Sequence, residues 1–376
     1  MTARARANAR VLYVTDGFAP FVIGGMQSYA RRQLETLADA GYDLTSLSPS
    51  EPDAPLPWRN IALGWPGRSL LAKLDPWRYV RDLKRYSERV ARIADELRPD
   101  VIYSEGPLLH TYLHRADRPA RTIFNPHGLE MFQRKGSLKD DVKSWPLRGI
   151  VADHARRADV VACLSDSGQL NHILQDRIGV PPGRIAVLPN AAPETVAAPR
   201  NGQSGKRRFL FVGRDEPRKA LPLLTAAFRN MPDAELDIVG ANGPTGGNIR
   251  FRGEVRDRAR IRQFYADADF LVAPSHAEGM PTVVLEAFAA ALPVIATDVG
   301  ANADLVQSGT TGFLIPRADR AALENAVHQA MHMPDTDYAR LSANCLEMAR
   351  TRFSAQQAGD RLLTLLDGLP GMDKSD

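Results

Sequence analysis

Residues 269–298 read "DFLVAPSHAEGMPTVVLEAFAAALPVIATD": two short apolar runs on either side of a Gly-Met-Pro turn and a longer apolar segment. The runs "DFLVAPS" (269–275) and "PVIATD" (293–298) have no polar alternation. They therefore read as strands covered on both faces. The segment after Pro281 reads as a helix start, because proline suits the first turn, where a missing N–H costs nothing. Strand, helix and strand in succession make a crossover unit of a parallel sheet.

The same alternation runs outward along all 376 residues. Toward the N-terminus stand "RVLYVT" (10–15), "YDLTSLS" (42–48), "DVIYSEG" (100–106), "RTIFNPHG" (121–128), "DVVACLS" (159–165) and "RIAVLP" (184–189). In the second half "RRFLFVG" (207–213), "AELDIVG" (234–240), "NIRFRGEV" (248–255) and "TGFLIP" (311–316) accompany the opening pair. Amphipathic stretches such as "GGMQSYARRQLETLADAGY" and "WRYVRDLKRYSERVARIADELRPD" separate them. Residues 189–208, rich in Pro, Gly, Ala and Ser, lack periodicity and read as the linker. The expected fold is α/β: two doubly wound parallel-sheet domains, 1–195 and 196–355, facing across a cleft. A closing helical segment, 356–376, can pack on either domain.

Composition narrows the function classes. Two cysteines, Cys163 and Cys345, are far apart and have no companions at metal-ligand spacing, so neither a disulfide framework nor a zinc site is expected. A reducing, cytoplasmic setting fits. No run reaches the ~20 apolar residues of a spanning helix. The N-terminal "MTARARANAR" reads as a basic arm leading into the first strand rather than a signal peptide. Net charge is +4, with the basic excess in the first half. Its basic residues lack interleaved aromatics, so nucleic acid is not an expected partner.

Ligands of doubly wound sheets bind beyond the carboxyl ends of the strands, so chemistry is sought in the loops there. Gly24 and Gly25 precede a helix whose N-terminus can receive an anion, although no GxGxxG stands here and a dinucleotide is not implied. His127 and Glu130 follow a strand in "FNPHGLE". Arg214 and Lys219, in "VGRDEPRKALPLL", are two cations at a helix start, suited to a diphosphate; Arg218 reads as a solvating neighbour. In "SHAEGMPTVVLEA" the free N–H groups near Thr282 and Val283 favour an anion. Glu278 and Glu286 can accept from paired sugar hydroxyls. Taken singly, each of these loops is equally a turn or a capped helix.

In order and spacing together, the motifs resemble those of the retaining GT-B glycosyltransferases of family 4. The matching features are GG after the first strand, "HG" midway, "PN" closing the first domain, "VGR…K" opening the second, and a Glu-x7-Glu pair. The stretch 279–316, "GMPTVVLEAFAAALPVIATDVGANADLVQSGTTGFLIP", follows the family pattern throughout. The resemblance implies a nucleotide sugar in the cleft, GDP-mannose or a UDP-sugar. Arg214 and Lys219 would then hold the diphosphate, Glu286 the ribose and Glu278 the transferred sugar. Gly279, Met280 and Thr282 would add contacts to sugar and phosphate, and Gly253 and Val255 would sit at the base. Gly25, with Gly24, would approach the phosphates, His127 the reacting sugar, and Asn190 the junction of the domains. Asp16 and Glu130 are expected only as acceptor contacts. No metal and no cofactor are implied, and retention needs no protein nucleophile. One departure is Ala220, where the family usually has Gly after the Lys.

The acceptor is expected to be a glycan or lipid-linked saccharide of a cell envelope or exopolysaccharide. Arg78, Arg81, Arg85, Arg89 and Arg92 recur at three- and four-residue steps opposite Val80, Leu83, Val90, Ile93 and Leu97. That is either a solvated face over a core stripe or a basic face for an anionic membrane surface. The competing functional reading is a GT-B-fold epimerase or sugar-nucleotide-binding protein without transferase activity. Intact Glu278, Glu286, Arg214 and Lys219 count against a silent binder.

Overall fold

The computed structural model describes residues 9–17, 25–52, 54–65, 76–166, 168–194, 197–200 and 207–370. The first domain holds β1 (Arg10–Val14), β2 (Asp43–Ser48), β3 (Arg59–Ala62), β4 (Val101–Glu105), β5 (Arg121–Asn125), β6 (Val160–Cys163) and β7 (Ile185–Val187). These pair in the order β3-β2-β1-β4-β5-β6-β7, parallel throughout. The second holds β8 (Arg208–Val212), β9 (Glu235–Val239), β10 (Ile249–Gly253), β11 (Phe270–Ala273), β12 (Val294–Thr297) and β13 (Gly312–Ile315). Its order is β10-β9-β8-β11-β12-β13, again parallel. The apolar runs become these strands because helices cover both faces: β4, β11 and β12 are buried at every residue.

Of the thirteen strands among the described residues, only β3 has no counterpart in the sequence reading. Its four residues, "RNIA", follow a proline-rich loop and pair on one side only, with β2, at the sheet edge. Half-exposed and mixed in polarity, they carry no apolar run.

The order of each sheet reverses between two strands that are neighbours in space but not in sequence: β1 and β4, and β8 and β11. The crevice outside such a reversal is where doubly wound sheets hold ligands. Both crevices face one another. Backbone approaches backbone at Gly128 and Gly279, where a Cβ on Gly279 would stand 2.7 Å from Gly128 Cα. Gln133 Nε2 donates to the Glu278 carbonyl at 2.6 Å, and its Oε1 accepts from the Glu278 N–H at 3.2 Å.

The described linker residues are pinned at named points. Asn190 Nδ2 donates to the Met280 carbonyl at 2.8 Å. Arg200 spends its guanidinium on the carbonyls of Tyr265, Ala266, Ala268 and Ala290. The last helix, Ala355–Asp367, returns to the first domain. Leu362 and Leu366 enter the core beside Leu34 and Leu37, and Tyr42 Oη donates to Asp367 at 2.8 Å.

Candidate active site

On the second domain, Glu278 follows β11 in a loop that turns inward. Its carboxylate is buried and accepts from Lys219 Nζ at 2.6 Å, Arg218 at 3.0 Å and Ser275 Oγ at 2.7 Å. Burial alone would raise its pKa, but Lys219 and Arg218 outweigh that and hold the carboxyl below its ordinary range. Glu278 is thus neither a helix cap nor a surface group. Arg218 meets it beside Lys219 and is not the solvating neighbour that the sequence suggests; it also pairs with Glu216 at 2.8 Å. Arg214 instead points outward, 82% exposed, and pairs with the other Glu216 oxygen at 2.8 Å.

Ala220 follows Lys219 with φ +54, in the left-handed region where glycine is at ease. His127 and Leu129 share that conformation, φ +57 and +54. Such residues cost about 1–3 kcal/mol each and tend to gather at functional sites.

The helix Thr282–Ala289 starts behind Pro281 with no side chain capping it. By contrast, Asp257, Asp319 and Ser354 cap the helices that follow them. Its N-terminus lies against the start of the helix Gly25–Asp39: a Cβ on Gly25 would stand 3.2 Å from Thr282 Cγ2. Two helix N-termini therefore meet in the cleft, each favouring negative charge. Gly24 lies outside the described residues. One turn along, half-buried Glu286 accepts from Tyr265 Oη at 2.8 Å, and burial raises its pKa. Met280 is buried; Gly253 (φ +66) ends β10, where a Cβ would stand 3.1 Å from Asn242 Oδ1, and Val255 lies in the loop that follows.

The first domain contributes a buried polar network. Glu105 ends β4, and His127 follows β5 with Nε2 2.5 Å from a Glu105 carboxylate oxygen. Tyr13 Oη donates to the other oxygen. Asn125 fixes the turn by accepting the His127 N–H at 2.9 Å, and its own amide donates to Tyr103 Oη at 3.1 Å. Tyr103 stacks on Tyr13 and meets Tyr29, which forms a T-shaped contact with the His127 ring. Burial alone would lower the imidazole pKa, but Glu105 overcomes it and the net shift is upward. Asp16 sits nearby, accepting from Gln27 at 3.2 Å; burial, then the Glu105 charge, raises its pKa. Half-buried Glu130 lies close enough to act electrostatically on both His127 and Arg218.

Glu105 and the tyrosines are absent from the sequence reading. The available signal was an acidic residue at the carboxyl end of the strand "DVIYSEG". Chemically, one wall carries cations and helix N-termini for a multiply charged anion, with Glu286 placed for hydroxyls. The other presents an imidazole held by a carboxylate.

Residues 23–196 match the family described as Glycosyltransferase Family 4, and residues 206–333 that described as Glycosyl transferases group 1. Among curated relatives, the phosphatidyl-myo-inositol mannosyltransferase of Mycolicibacterium smegmatis is 28% identical over 335 residues, covering 81% of each chain. That of Mycobacterium leprae is 29% identical, covering 81% of this chain and 83% of its own. In structure, a sucrose-phosphate synthase from Thermosynechococcus elongatus superposes with a TM-score of 0.75 at 20% identity, over 95% of this chain and 98% of that one. Anabaena HepE in complex with UDP-glucose superposes at 0.69 and 16% identity, over 96% and 99%. These structures share the fold of two parallel-sheet α/β domains.

Proposed function

The chain belongs to the family 4 glycosyltransferases, and from that premise we propose that it moves a hexose from a nucleotide sugar to a hydroxyl of a lipid-linked or glycan acceptor, with retention at the anomeric carbon. The mannosyltransferases that resemble it over four-fifths of its length support mannose, and so GDP-mannose before a UDP-sugar. The observation that carries the reading is the convergence of Lys219, Arg218, Glu278 and two facing helix N-termini across from His127.

Departure of the leaving group puts negative charge on the diphosphate. Lys219, Arg218 and the N–H groups near Thr282 are arranged to stabilise that charge. A bound diphosphate competes with Glu278 for its cations, which frees the carboxylate to accept from sugar hydroxyls. Arg214, held by a surface ion pair, swings in to add a third cation. Glu286 takes the ribose, and Gly253 and Val255 border the base. His127, its pKa raised by Glu105, donates to a sugar hydroxyl and steadies the sugar under attack. The acceptor oxygen forms its bond to the anomeric carbon on the face the diphosphate leaves, and a departing phosphate oxygen takes the acceptor's proton. No protein nucleophile and no metal enter. Asp16 and Glu130 line the acceptor approach. The two domains close over the reactants and exclude water.

No helix of the described residues is long and apolar enough to cross a membrane. The exposed large apolar side chains among them, Met26, Trp77, Tyr79, Leu138, Val142 and Trp145, all lie in the first domain. With Arg81, Arg85 and Arg92 exposed nearby, this domain is the one proposed to meet an anionic bilayer. The test is a thermal-shift screen against nucleotide sugars, followed by transfer to a phosphoinositide acceptor. GDP-mannose is expected to raise the melting temperature and support transfer. No shift with any nucleotide sugar would sink the reading.

A further inference from the structure

A second cluster of chemistry-bearing side chains sits in the helical layer of the first domain and shares no residue with the cleft. His110 and His114 stand one turn apart around the short helix His110–Leu113, and Asp153 comes from the neighbouring helix Trp145–Arg157. The ligating atoms of all three lie within 4.8 Å of one another. His114 Nε2 is 3.4 Å, and His110 Nδ1 3.7 Å, from the same oxygen, Asp153 Oδ2. Neither approach is a hydrogen bond. His110 Nδ1 and Asp153 Oδ2 are buried atoms without a hydrogen-bond partner among the described residues. Orphaned polar atoms of this kind are costly and call for an explanation.

We infer that His110 Nδ1, His114 Nε2 and Asp153 Oδ2 form a binding site for one divalent transition-metal ion of the zinc class. Nitrogen and carboxylate ligands lie ~2.0–2.2 Å from such an ion, which spaces tetrahedral ligands about 3.4 Å apart. The two nitrogen–oxygen separations, 3.4 and 3.7 Å, approach that spacing, and the two nitrogens lie within 4.8 Å of each other, so a bound ion would draw the rings together. The remaining atoms of two of the ligands, His114 and Asp153, are held as metal ligands usually are. His114 Nδ1 lies 2.8 Å from the His110 carbonyl, which sets it as the donor and leaves Nε2 its lone pair. Arg157 Nε donates to Asp153 Oδ1 at 2.8 Å, leaving Oδ2 to face the histidines.

Lys84 and Arg157 are the positive charges that face this cluster, and the Asp153 carboxylate opposes them. His154 packs against His110. Two imidazoles with one carboxylate suit zinc, nickel or cobalt, whereas magnesium and calcium require oxygen ligands. An ion here would staple the His110–Leu113 turn to the helix Trp145–Arg157. That helix also carries Arg148, whose Nε donates to the Met131 carbonyl at 2.5 Å, in the loop that follows His127. Bound metal would therefore stiffen the ledge beneath the cleft loop.

The experiment titrates untagged, chelator-stripped protein with zinc chloride, with magnesium chloride as control, by calorimetry and thermal melting. One zinc per chain, a higher melting temperature and no response to magnesium are expected. Affinity should fall by more than about tenfold in His114→Ala and in Asp153→Asn. Should His114→Ala fail to fold, Asp153→Asn, which keeps the shape of the side chain, carries the test alone. Absence of saturable zinc binding, or binding undiminished in the variants that fold, overturns the assignment.

Discussion

Beyond β8 and β11 the cleft is lined by Arg218, Lys219, Glu278 and Glu286; beyond β1 and β4 it is lined by Asp16, Glu105 and His127, backed by tyrosines. The positions in the two sheets are equivalent, each at the reversal of strand order. Their electrostatics differ. On the second domain, two cations lower a buried carboxylate's pKa; on the first, a carboxylate raises an imidazole's pKa. Equal architecture thus leaves the chemistry open, and what each crevice binds depends on the side chains at its rim. In the proposed reaction the cationic wall would hold the diphosphate, and the imidazole wall would meet a hydroxyl of the transferred sugar.

The largest expected effect tests the cationic wall. Lys219→Ala should lower kcat/KM for transfer by about 10²–10³-fold with circular dichroism unchanged. A loss of less than tenfold would mean that the diphosphate is held elsewhere. Next comes the contact between the walls. Gly279→Ala places a Cβ against Gly128 Cα and should push the domains apart, costing on the order of 10²-fold in kcat. Unchanged kcat would show that the two crevices need not meet as closely as they do here.

The imidazole wall is tested by Glu105→Gln, in which Glu105 acts through His127 as a positioning residue. Because His127's pKa is raised in the fold, the pair's stabilisation is complete below the ordinary imidazole value of about 6.5. It is lost as pH rises through the raised value. Glu105→Gln should therefore move the alkaline limb of the pH–rate profile to lower pH, with a loss of roughly tenfold in kcat at neutral pH. An unmoved limb would reduce Glu105 to a core residue. The smallest effect concerns Ala220. Replacing it with glycine relieves the left-handed strain and should stabilise the protein by up to ~1 kcal/mol, measured by denaturant unfolding. Any destabilisation would show that the turn is already accommodated.

The comparison also explains what could be read before folding. The cationic wall comes from two short segments, 214–220 and 275–286, each placed directly after an apolar run, so residue type and spacing pointed to it. Even there the choice between Arg214 and Arg218 was not legible. Both lie in one loop, and only the turn through Glu216 to Ala220 aims Arg218 at Glu278 and Arg214 at solvent. The imidazole wall gathers Tyr13, Tyr29, Tyr103, Glu105, Asn125 and His127 from three strands, a helix and a loop. Nothing local marks those tyrosines, which look like ordinary core residues along the chain.

Periodicity and punctuation along the chain determined the two parallel sheets, their helices and the loops worth searching, because strand burial and helix starts are properties of neighbouring residues. Three features were decided only in three dimensions: the edge strand β3, the return of the last helix to the first domain, and the His110–His114–Asp153 cluster. Each rests on contacts between segments far apart in sequence. The energy of those contacts comes from what folding removes from water together, and no linear pattern records it.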